Sequence, residues 1–514
     1  MPDRLRFGTS GLRAPLGDGP DRMNAQTVQL AATAFAQWLP ADSTVVIGRD
    51  ARHGSAQFAD VTARVLSGAG HRVRMFAEPV PTPVVAHEIG RTDASGGVVV
   101  TASHNPASDN GYKVYVADGG QLLPEDAAAI EAIMDGLEWP EPSLGVETSA
   151  DPNALELLGA PEIDAYLGTI RAETKAGPDT ARSSQVIVYS AMHGVGGELA
   201  IRALEAAGHV VHPVPEQHTP DPDFPTAPFP NPEEPGTLDL AIAQAVEVGA
   251  DLVLANDPDG DRLAVAVPRK GEGIETGSVG YERLTGDEIG VLLGDYVMSR
   301  SARPGCVATT VVSSTLLDKV AGAQGFECHR TLTGFKWLAR SGSDGVPLCF
   351  AYEEALGYSV APTIRDKDGI SAALSFADMA AVASARGRSV DDLLSDVYGQ
   401  HGFHLTSQVA LRFEGDDPMA EMNELMSRLR ENPPASLAGV PVTEVEDFGV
   451  GDPNRPVADL VILHLANGRL AIRPSGTEPK LKSYIEVINP DRAIAATRLA
   501  DLETAARVLL GTGA

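Results

Sequence analysis

Three aspartates alternate in one short stretch of the sequence, "NDPDGDR" (256–262), directly after the apolar run "DLVLA". In an extended turn alternate side chains point the same way, so Asp257, Asp259 and Asp261 would share one side. Their carboxylates would repel one another unless a cation lay between them, and oxygen ligands suit a hard ion such as Mg²⁺. An EF-hand loop does not fit, because Gly260 stands fourth and Pro268 twelfth. The stretch therefore predicts a magnesium site, with an acidic surface turn as the alternative.

A second stretch, "TASHNP" (101–106), ends the apolar run "GGVVV" and sets Ser103 beside His104. A serine at a strand end can be a nucleophile, a metal ligand, a helix cap or a phosphate carrier. No GxSxG motif surrounds Ser103, and the sequence identifies no third member of a catalytic triad. A phosphoserine beside a magnesium site would suit phosphoryl transfer, because the ion offsets the negative charge. We therefore interpret Ser103 as a phosphate carrier.

Two more polar loops could bind the rest of a phosphorylated polyol. "RPSGTEPK" (473–480) offers a guanidinium, two hydroxyls, a flexible backbone and an ammonium, which together suit a phosphate. "EEALGYS" (353–359) begins with two carboxylates that can accept hydrogen bonds from vicinal hydroxyls. The alternatives are a polar turn for the first loop and a helix N-terminus, where acidic residues are favoured, for the second.

Apolar strands and amphipathic helices alternate over most of the chain, which indicates α/β layers with mixed, largely parallel sheets. In such sheets ligands gather at the carboxyl ends of the strands, where the polar loops lie. The last part differs, because Asn467-Gly468 is a hairpin signal and predicts a smaller C-terminal α+β domain. We expect three tandem α/β domains followed by this one. The first two predicted domains are 1–175, with the Ser103 loop, and 176–285, with the aspartate loop (256–262). The last two are 286–399, with "EEALGYS" as the sugar loop, and 400–514, with "RPSGTEPK" as the phosphate loop.

One segment is too rich in proline for a regular helix or strand. It reads "HTPDPDFPTAPFPNPEEPG" (218–236), and we expect an ordered surface loop there.

Composition excludes several classes of function. The 514 residues carry 70 acidic and 40 basic side chains, a net charge of −30, which would repel a nucleic-acid backbone. Three scattered cysteines without CxxC spacing argue against a disulfide framework or a zinc site. The sequence has no apolar leader and no window that resembles a membrane span, so we expect no membrane partner and a cytoplasmic location.

Five polar stretches, in their order along the chain, resemble the α-D-phosphohexomutase family of phosphoglucomutases and phosphomannomutases. They are "FGTSGLR", "TASHNP", "DPDGDR", "EEALGYS" and "RPSGTEPK". The resemblance covers nearly the whole chain, and ordered motifs are far more specific than a single one. It implies four domains around a central cleft, and a phosphoserine at Ser103 that binds Mg²⁺ together with Asp257, Asp259 and Asp261. The implied catalytic residues are Ser103, His104, Lys113 and Arg13, with Lys113 and His104 both candidates for proton transfer. The implied substrate-binding residues are Arg262, Lys336, Glu353, Glu354, Arg473, Ser475, Gly476 and Thr477.

The resemblance also implies the reaction. A hexose 1-phosphate and a hexose 6-phosphate, of glucose and/or mannose, would interconvert through the phosphoserine and a sugar bisphosphate. Glucose or mannose 1,6-bisphosphate would be the primer, sugar phosphates the small-molecule partners, and the protein a monomer or homodimer.

The sugar loop departs from the family pattern. Many relatives carry serine where Ala355 stands and Gly-His where this chain has Gly357-Tyr358. The tyrosine version resembles a branch that includes phosphopentomutases, so a phosphopentomutase is the first alternative. A magnesium-dependent phosphatase with Asp257 as nucleophile is a second, although its DxDx[TV] motif would need threonine or valine at 261. A non-catalytic sugar-phosphate binding protein is a third, and it would need neither Ser103 nor the aspartates.

Overall fold

The computed structural model describes residues 4–8, 11–141, 154–174, 185–269, 280–302, 305–343, 345–414, 417–450, 457–475 and 480–511. The chain forms two compact units. The first contains Met1–Ala308 and Gly334–Val390, and the second contains Thr309–Thr333 and Asp391–Ala514. The domain boundaries proposed from the sequence stay predictions. Among the described helices, none is both long enough and apolar enough to cross a bilayer.

The first sheet of the first unit carries the loop that contains Ser103. Its strands are β1 (Leu12–Pro15), β2 (Thr44–Arg49), β3 (Arg72–Phe76), β4 (Gly96–Val100), β5 (Asp109–Val116) and β6 (Leu155–Leu158). Its helices are α1 (Ala25–Trp38), α2 (Ser55–Gly68), α3 (Thr82–Arg91), α4 (Pro124–Gly136) and α5 (Ala160–Glu173). The strand order is β1-β5-β4-β2-β3-β6. Strands β4, β2, β3 and β6 are parallel neighbours, whereas β5 pairs antiparallel with β4 and β1.

Helix α1 illustrates how the sequence forms these elements. Asn24 is its N-cap, and its side chain accepts a 2.9 Å hydrogen bond from the backbone N–H of Thr27. Val28, Ala31 and Phe35 form an apolar stripe with helical spacing and are fully buried in the core of this sheet. Burying a side chain of the size of Phe35 stabilises the fold by about 1.5–3 kcal/mol.

The second sheet of the first unit carries the aspartate loop between two of its strands. Its strands are β7 (Val186–Ser190), β8 (Val210–Pro213), β9 (Leu252–Ala255), β10 (Ala264–Arg269) and β11 (Gly280–Arg283). Its helices are α6 (Gly197–Ala206), α7 (Pro215–His218) and α8 (Asp239–Val248). The order is β11-β10-β9-β7-β8, and β7 is parallel to β8 and β9. The aspartate loop links β9 to its antiparallel neighbour β10.

The third α/β region begins with α9 (Gly286–Arg300) and β12 (Cys306–Thr310), and β12 passes from the first unit into the second. The second unit then contains α10 (Leu316–Gln324) and β13 (Glu327–Thr331). The first unit contains α11 (Phe335–Leu338), β14 (Leu348–Glu353), β15 (Gly357–Ser359) and α12 (Gly369–Ser384). Strands β14 and β15 form an antiparallel hairpin that pairs Glu353 with Gly357. The sugar loop is therefore the turn of this hairpin.

The rest of the second unit is the predicted α+β domain. Its helices are α13 (Val390–His401), which starts at the boundary, α14 (Pro418–Glu431) and α15 (Arg492–Leu510). Its strands are β16 (Phe403–Arg412), β17 (Ser436–Leu437), β18 (Val440–Asp447), β19 (Val461–Leu465), β20 (Gly468–Pro474) and β21 (Lys480–Asn489). They form an antiparallel sheet in the order β16-β21-β20-β19-β18-β17. The Asn467-Gly468 turn joins β19 to β20 as predicted, and the four sheets confirm the predicted fold class.

Candidate active site

Ser103 lies in a tight turn after β4 and has a backbone φ of +54°. This value lies in the left-handed region, which residues other than glycine rarely adopt. Its N–H donates to Thr101 Oγ1 at 2.8 Å, which helps to hold that conformation. Its hydroxyl is buried and donates a 2.9 Å hydrogen bond to Asp257 Oδ2. His104 Nδ1 lies 3.3 Å from the same hydroxyl oxygen. The turn therefore presents Ser103 Oγ to both an imidazole and a carboxylate of the aspartate loop.

Arg52, which sequence reasoning missed, holds this turn from behind. Its guanidinium donates to the carbonyl oxygens of Ser103, Asn105, Pro106 and Asp109 at 2.5, 2.6, 2.8 and 3.2 Å. Arg52 thus supplies hydrogen-bond donors to four carbonyl groups of the turn and of the first residue of β5. Arg52 is about fifty residues away in the chain, so no local motif points to this contact.

The aspartate loop is a turn and not the extended segment that we expected. Gly260 has a φ of +71°, and its N–H donates to the carbonyl oxygen of Asp257 at 2.9 Å. Reversal of the chain at this glycine brings the three carboxylates together, with one oxygen of each within 4.8 Å of the others. Asp257, Asp259 and Asp261 are all fully buried.

The hydrogen-bond and ion-pair partners of Asp259 and Asp261 leave one oxygen of each carboxylate unpaired among the described residues. Lys113 Nζ lies 2.6 Å from Asp259 Oδ2 and 2.9 Å from Asp261 Oδ2, and Lys367 Nζ lies 2.7 Å from Asp261 Oδ2. Thr82 Oγ1 donates to Asp259 Oδ2 at 2.7 Å. Among the described residues, the buried Oδ1 atoms of Asp259 and Asp261 have no hydrogen-bond partner. Buried carboxylates that lie this close together and keep unpaired oxygens are a suitable donor set for a hard divalent cation, so the residues fit Mg²⁺.

Charge within the triplet is uneven. Burial, together with the charges of Asp261 and Asp259, raises the pKa of Asp257 well above its usual range. Burial acts in the same direction on Asp259, but Lys113 and Lys367 outweigh it and hold the pKa of Asp259 well below its usual range. Asp257 is therefore the carboxylate whose ionisation its neighbours oppose, and a further positive charge beside it would relieve that repulsion.

His104, in contrast to the aspartates, has positively charged neighbours that disfavour its charged form. Burial, and then the positive charges of Arg262 and Arg13, lower its pKa well below the usual range. The imidazole is therefore neutral near pH 7 and can accept a proton. Arg13 Nη1 donates to Asn105 Oδ1 at 3.4 Å, and burial lowers the pKa of its guanidinium. The structure thus brings the predicted residues Arg13 and His104 to the Ser103 turn.

Arg262 connects the aspartate loop to a carboxylate that sequence reasoning missed. Its backbone N–H donates to Asp257 Oδ1 at 2.9 Å, and its Nη1 lies 2.9 Å from Glu233 Oε2. Glu233 belongs to the proline-rich segment, which the sequence analysis left outside the site. Within that acidic segment, nothing in the sequence distinguishes Glu233 from its neighbour Glu234.

The sugar loop places Glu353 at the end of β14, where it is 8% exposed. Burial raises its pKa to about 7, although Lys367 and Arg262 act in the other direction. Glu354 follows it in the loop and is less buried. Tyr358 is different, because it is fully buried, stacks on Tyr352 and donates to the carbonyl oxygen of Gly286 at 3.3 Å. Its side chain belongs to the core beneath the loop.

Lys336 lies in α11 and lines a cavity of about 20 Å³ together with Lys113 and Gly11. Burial lowers the pKa of its ammonium group. This predicted residue is therefore close to the lysine that pairs with the aspartates.

The predicted phosphate loop lies in the second unit. Arg473 is the penultimate residue of β20, and the N–H of Ser475 donates to the carbonyl oxygen of Lys480 at 2.6 Å. Gly476 and Thr477 lie outside the described residues. The roles of these four residues stay predictions.

Four family descriptions match successive parts of the chain. "Phosphoglucomutase/phosphomannomutase, alpha/beta/alpha domain I" matches residues 4–141, domain II matches 164–271, domain III matches 285–401 and the C-terminal domain matches 409–502. The chain belongs to the phosphoglucomutase/phosphomannomutase family. It is therefore a mutase enzyme, as the resemblance of its motifs implied.

Curated relatives of this family member have several names. The "Probable phosphomannomutase" of Haemophilus influenzae is 37% identical, over 95% of this chain and 98% of that protein. The "Phosphopentomutase" of Mus musculus is 34% identical over 95% and 84%, and the "Phosphoglucomutase" of Staphylococcus haemolyticus is 32% identical over 94% and 90%. The family is thus certain, while the names of its members cover more than one sugar.

Solved structures agree on the fold. A phosphoglucomutase/phosphomannomutase family protein from Burkholderia thailandensis matches with a TM-score of 0.72 at 21% identity, over 99% of this chain and 98% of that one. The exocytosis-sensitive phosphoprotein pp63/parafusin from Paramecium matches with a TM-score of 0.75 at 18% identity, over 99% and 96%.

Proposed function

We propose that this mutase interconverts hexose 1-phosphates and hexose 6-phosphates, of glucose and/or mannose, with Ser103 as the phosphate carrier. The observation that carries the proposal is the 2.9 Å contact between Ser103 Oγ and Asp257 Oδ2. A carrier hydroxyl that touches a cluster of carboxylates suited to a cation is what phosphoryl transfer from a serine requires. Relatives named phosphomannomutase and phosphoglucomutase support the hexose substrates.

The transfer has two halves. In the first, a hydroxyl oxygen of a bound sugar monophosphate attacks the phosphorus on Ser103. The Oγ–P bond breaks, a sugar O–P bond forms, and a sugar bisphosphate results. In the second, the bisphosphate turns over and its other phosphate returns to Ser103 Oγ. Glucose or mannose 1,6-bisphosphate would therefore also act as the primer of an unphosphorylated enzyme.

A proton must move during each half. The attacking sugar hydroxyl loses a proton, and Ser103 Oγ gains one when its phosphate leaves. His104 lies on that route, because its imidazole is neutral and its Nδ1 is 3.3 Å from Ser103 Oγ. Lys113 is instead held between Asp259 and Asp261, so we assign it to the charge balance of the triplet.

The residues that would hold Mg²⁺ are Asp257, Asp259 and Asp261, together with an oxygen on Ser103. When bound, the ion would offset the negative charge of the phosphoryl group during transfer. The unpaired Oδ1 atoms of Asp259 and Asp261 support this assignment.

The choice of sugar depends on the hairpin turn that carries Glu353. Glucose and mannose differ only in the direction of one hydroxyl, and a site that accepts the sugar in two orientations cannot fit every hydroxyl tightly. We therefore expect Glu353 to contact hydroxyls that both hexoses share. The second candidate is a pentose phosphate, because the mouse phosphopentomutase is nearly as similar as the bacterial phosphomannomutase. The buried Tyr358 does not distinguish the two.

Turnover assays on the 1-phosphates of α-glucose, α-mannose, ribose and N-acetylglucosamine, with a bisphosphate primer, test this proposal. We expect both hexoses to have the highest kcat/KM. A ribose phosphate that is at least about tenfold better would replace the hexose assignment and keep the mutase chemistry. Net release of inorganic phosphate from every substrate would instead favour the phosphatase alternative.

A further inference from the structure

The proline-rich segment 218–236 packs against the active site, which its sequence did not indicate. The ring of Phe229 meets the His104 ring edge-on, with 6.2 Å between the centroids and an angle of 85°. Four residues later, Glu233 Oε2 lies 2.9 Å from Arg262 Nη1, and the Arg262 side chain is only 11% exposed. The proposed transfer steps use neither Phe229 nor Glu233.

The position of Glu233 is fixed from both sides. Arg283 Nη1 donates to the carbonyl oxygens of Pro232 and Glu233 at 2.9 and 2.8 Å. The N–H of Glu233 donates to Asn231 Oδ1 at 3.1 Å. Two of these hydrogen bonds hold the backbone of Glu233 and the third holds that of Pro232, so the segment is already ordered where Glu233 reaches Arg262.

Arg262 is close enough to the metal ligands to compete with a cation. Its Nε lies 4.0 Å from Asp257 Oδ2 and, among the described residues, has no hydrogen-bond partner. Opposite charges attract strongly in a buried site, so a small movement of the guanidinium would pair it with Asp257. Asp257 would then be a poorer ligand, and the other donors of Arg262 would turn away from an incoming phosphate. The Glu233 carboxylate instead contacts a different nitrogen of the guanidinium, Nη1, at the shorter distance of 2.9 Å.

We propose that Glu233 is a positioning residue that holds the Arg262 guanidinium away from Asp257, so that the aspartates stay available to a divalent cation. This inference rests on the cation site of the proposed function. It assigns to the proline-rich segment the task of keeping a substrate-binding arginine and a metal ligand apart.

Mg²⁺ titrations by isothermal calorimetry test this role on Glu233→Gln, an isosteric variant without the charge. We expect Glu233→Gln to bind Mg²⁺ about tenfold more weakly, as is typical when the partner of a metal-site group is lost. The matched control is Glu234→Gln, which removes the adjacent carboxylate, one that makes no ion pair within the described part of the chain. The control should bind Mg²⁺ as the wild type does, and thermal unfolding should show that both variants fold.

A double variant separates positioning from a general structural effect. In an Arg262→Met background there is no guanidinium to hold, so Glu233→Gln should cause no further loss of Mg²⁺ affinity. A similar loss in both backgrounds would overturn the inference, as would wild-type affinity in Glu233→Gln itself. If the wild-type protein binds no Mg²⁺, the cation site and the role of Glu233 both fail. If the wild type binds it and Glu233→Gln binds it equally, only the role of Glu233 fails.

Discussion

Ser103 Oγ donates a hydrogen bond to Asp257 Oδ2 at 2.9 Å, although 154 residues separate the two in the sequence. The serine follows β4 of the first sheet, and the aspartate follows β9 of the second. A serine hydroxyl on one α/β region thus meets a carboxylate on the next, and both lie where a strand ends, as expected for ligand sites of such sheets. The proposed transfer of phosphate from Ser103 therefore depends on how the two sheets pack.

The first prediction concerns the carrier. Ser103→Ala should lower kcat roughly a thousandfold or more, because removal of a covalent nucleophile has effects of that order. The protein should stay folded, since the hydroxyl contributes little to packing. Peptide mass spectrometry of the active wild-type enzyme should find a phosphate within residues 101–106. A phosphate at another position, with none on Ser103, would refute the assignment.

The second prediction concerns the cation. Asp259→Asn replaces a carboxylate whose Oδ1 lacks a partner among the described residues with an amide, a weaker ligand for a hard ion. Calorimetry should show Mg²⁺ binding at least about tenfold weaker. Asp239→Asn, an exposed aspartate in the first turn of α8, is the matched control and should bind normally. Full turnover of the wild-type enzyme in excess chelator would contradict the need for a metal.

Short-range patterns account for what the sequence predicted correctly. Asn467-Gly468 forms its hairpin because that conformation depends on neighbouring residues. The polar residues at the strand ends were also found from local sequence, since an apolar run followed by glycine and charged residues marks such an end. The aspartate loop was only partly predicted, because a single left-handed residue, Gly260, turned an extended segment into a reversal.

The residues that the sequence did not reveal act over long distances. Lys367 pairs with Asp261 from more than a hundred residues away in the sequence. Arg52 contacts the Ser103 turn from 51 residues away. As single charged residues, Lys367, Arg52 and Glu233 look like any solvated side chain until packing brings them to the site. Tyr358 is the opposite case. It stands within a recognisable motif of polar residues, but its side chain is buried in the core.

The third prediction concerns Arg52. Arg52→Met removes the donors of four carbonyl groups and leaves Asp50, whose carboxylate lies 3.2 Å from Arg52 Nε, as an unpaired buried charge. Loss of one partner of a buried pair should lower the free energy of unfolding by about 3–5 kcal/mol. Denaturant or thermal unfolding measures this change.

Asp50→Asn combined with Arg52→Met distinguishes stability from positioning. The double variant lacks the unpaired charge, so it should be more stable than Arg52→Met alone. It should still form the phosphoserine slowly, because the turn that presents Ser103 has lost its donors. If the double variant is phosphorylated by the bisphosphate at the wild-type rate, Arg52 contributes only stability.

The fourth prediction concerns Glu353 and pH. Burial raises the pKa of Glu353 to about 7, so the carboxylate becomes protonated as the pH falls through that value. A neutral carboxyl group is a weaker acceptor for sugar hydroxyls, and kcat/KM for a hexose 1-phosphate should therefore decrease below about pH 7. The decrease should approach about tenfold per pH unit if only the ionised form binds the sugar productively.

Comparison of Glu353→Gln with the wild type separates the ionisation of Glu353 from that of the substrate phosphate, because the phosphate ionisation affects both enzymes equally. Above pH 7 the variant should be about ten- to a hundredfold slower, because a lost hydrogen bond to a charged group costs about 1.5–3 kcal/mol. The loss should be similar for glucose and mannose 1-phosphates if Glu353 contacts hydroxyls that they share. The decrease near pH 7 should be absent from its profile, since glutamine does not titrate. A variant that keeps the same pH profile would assign that ionisation to another group, and a loss confined to one hexose would place Glu353 at the hydroxyl that differs.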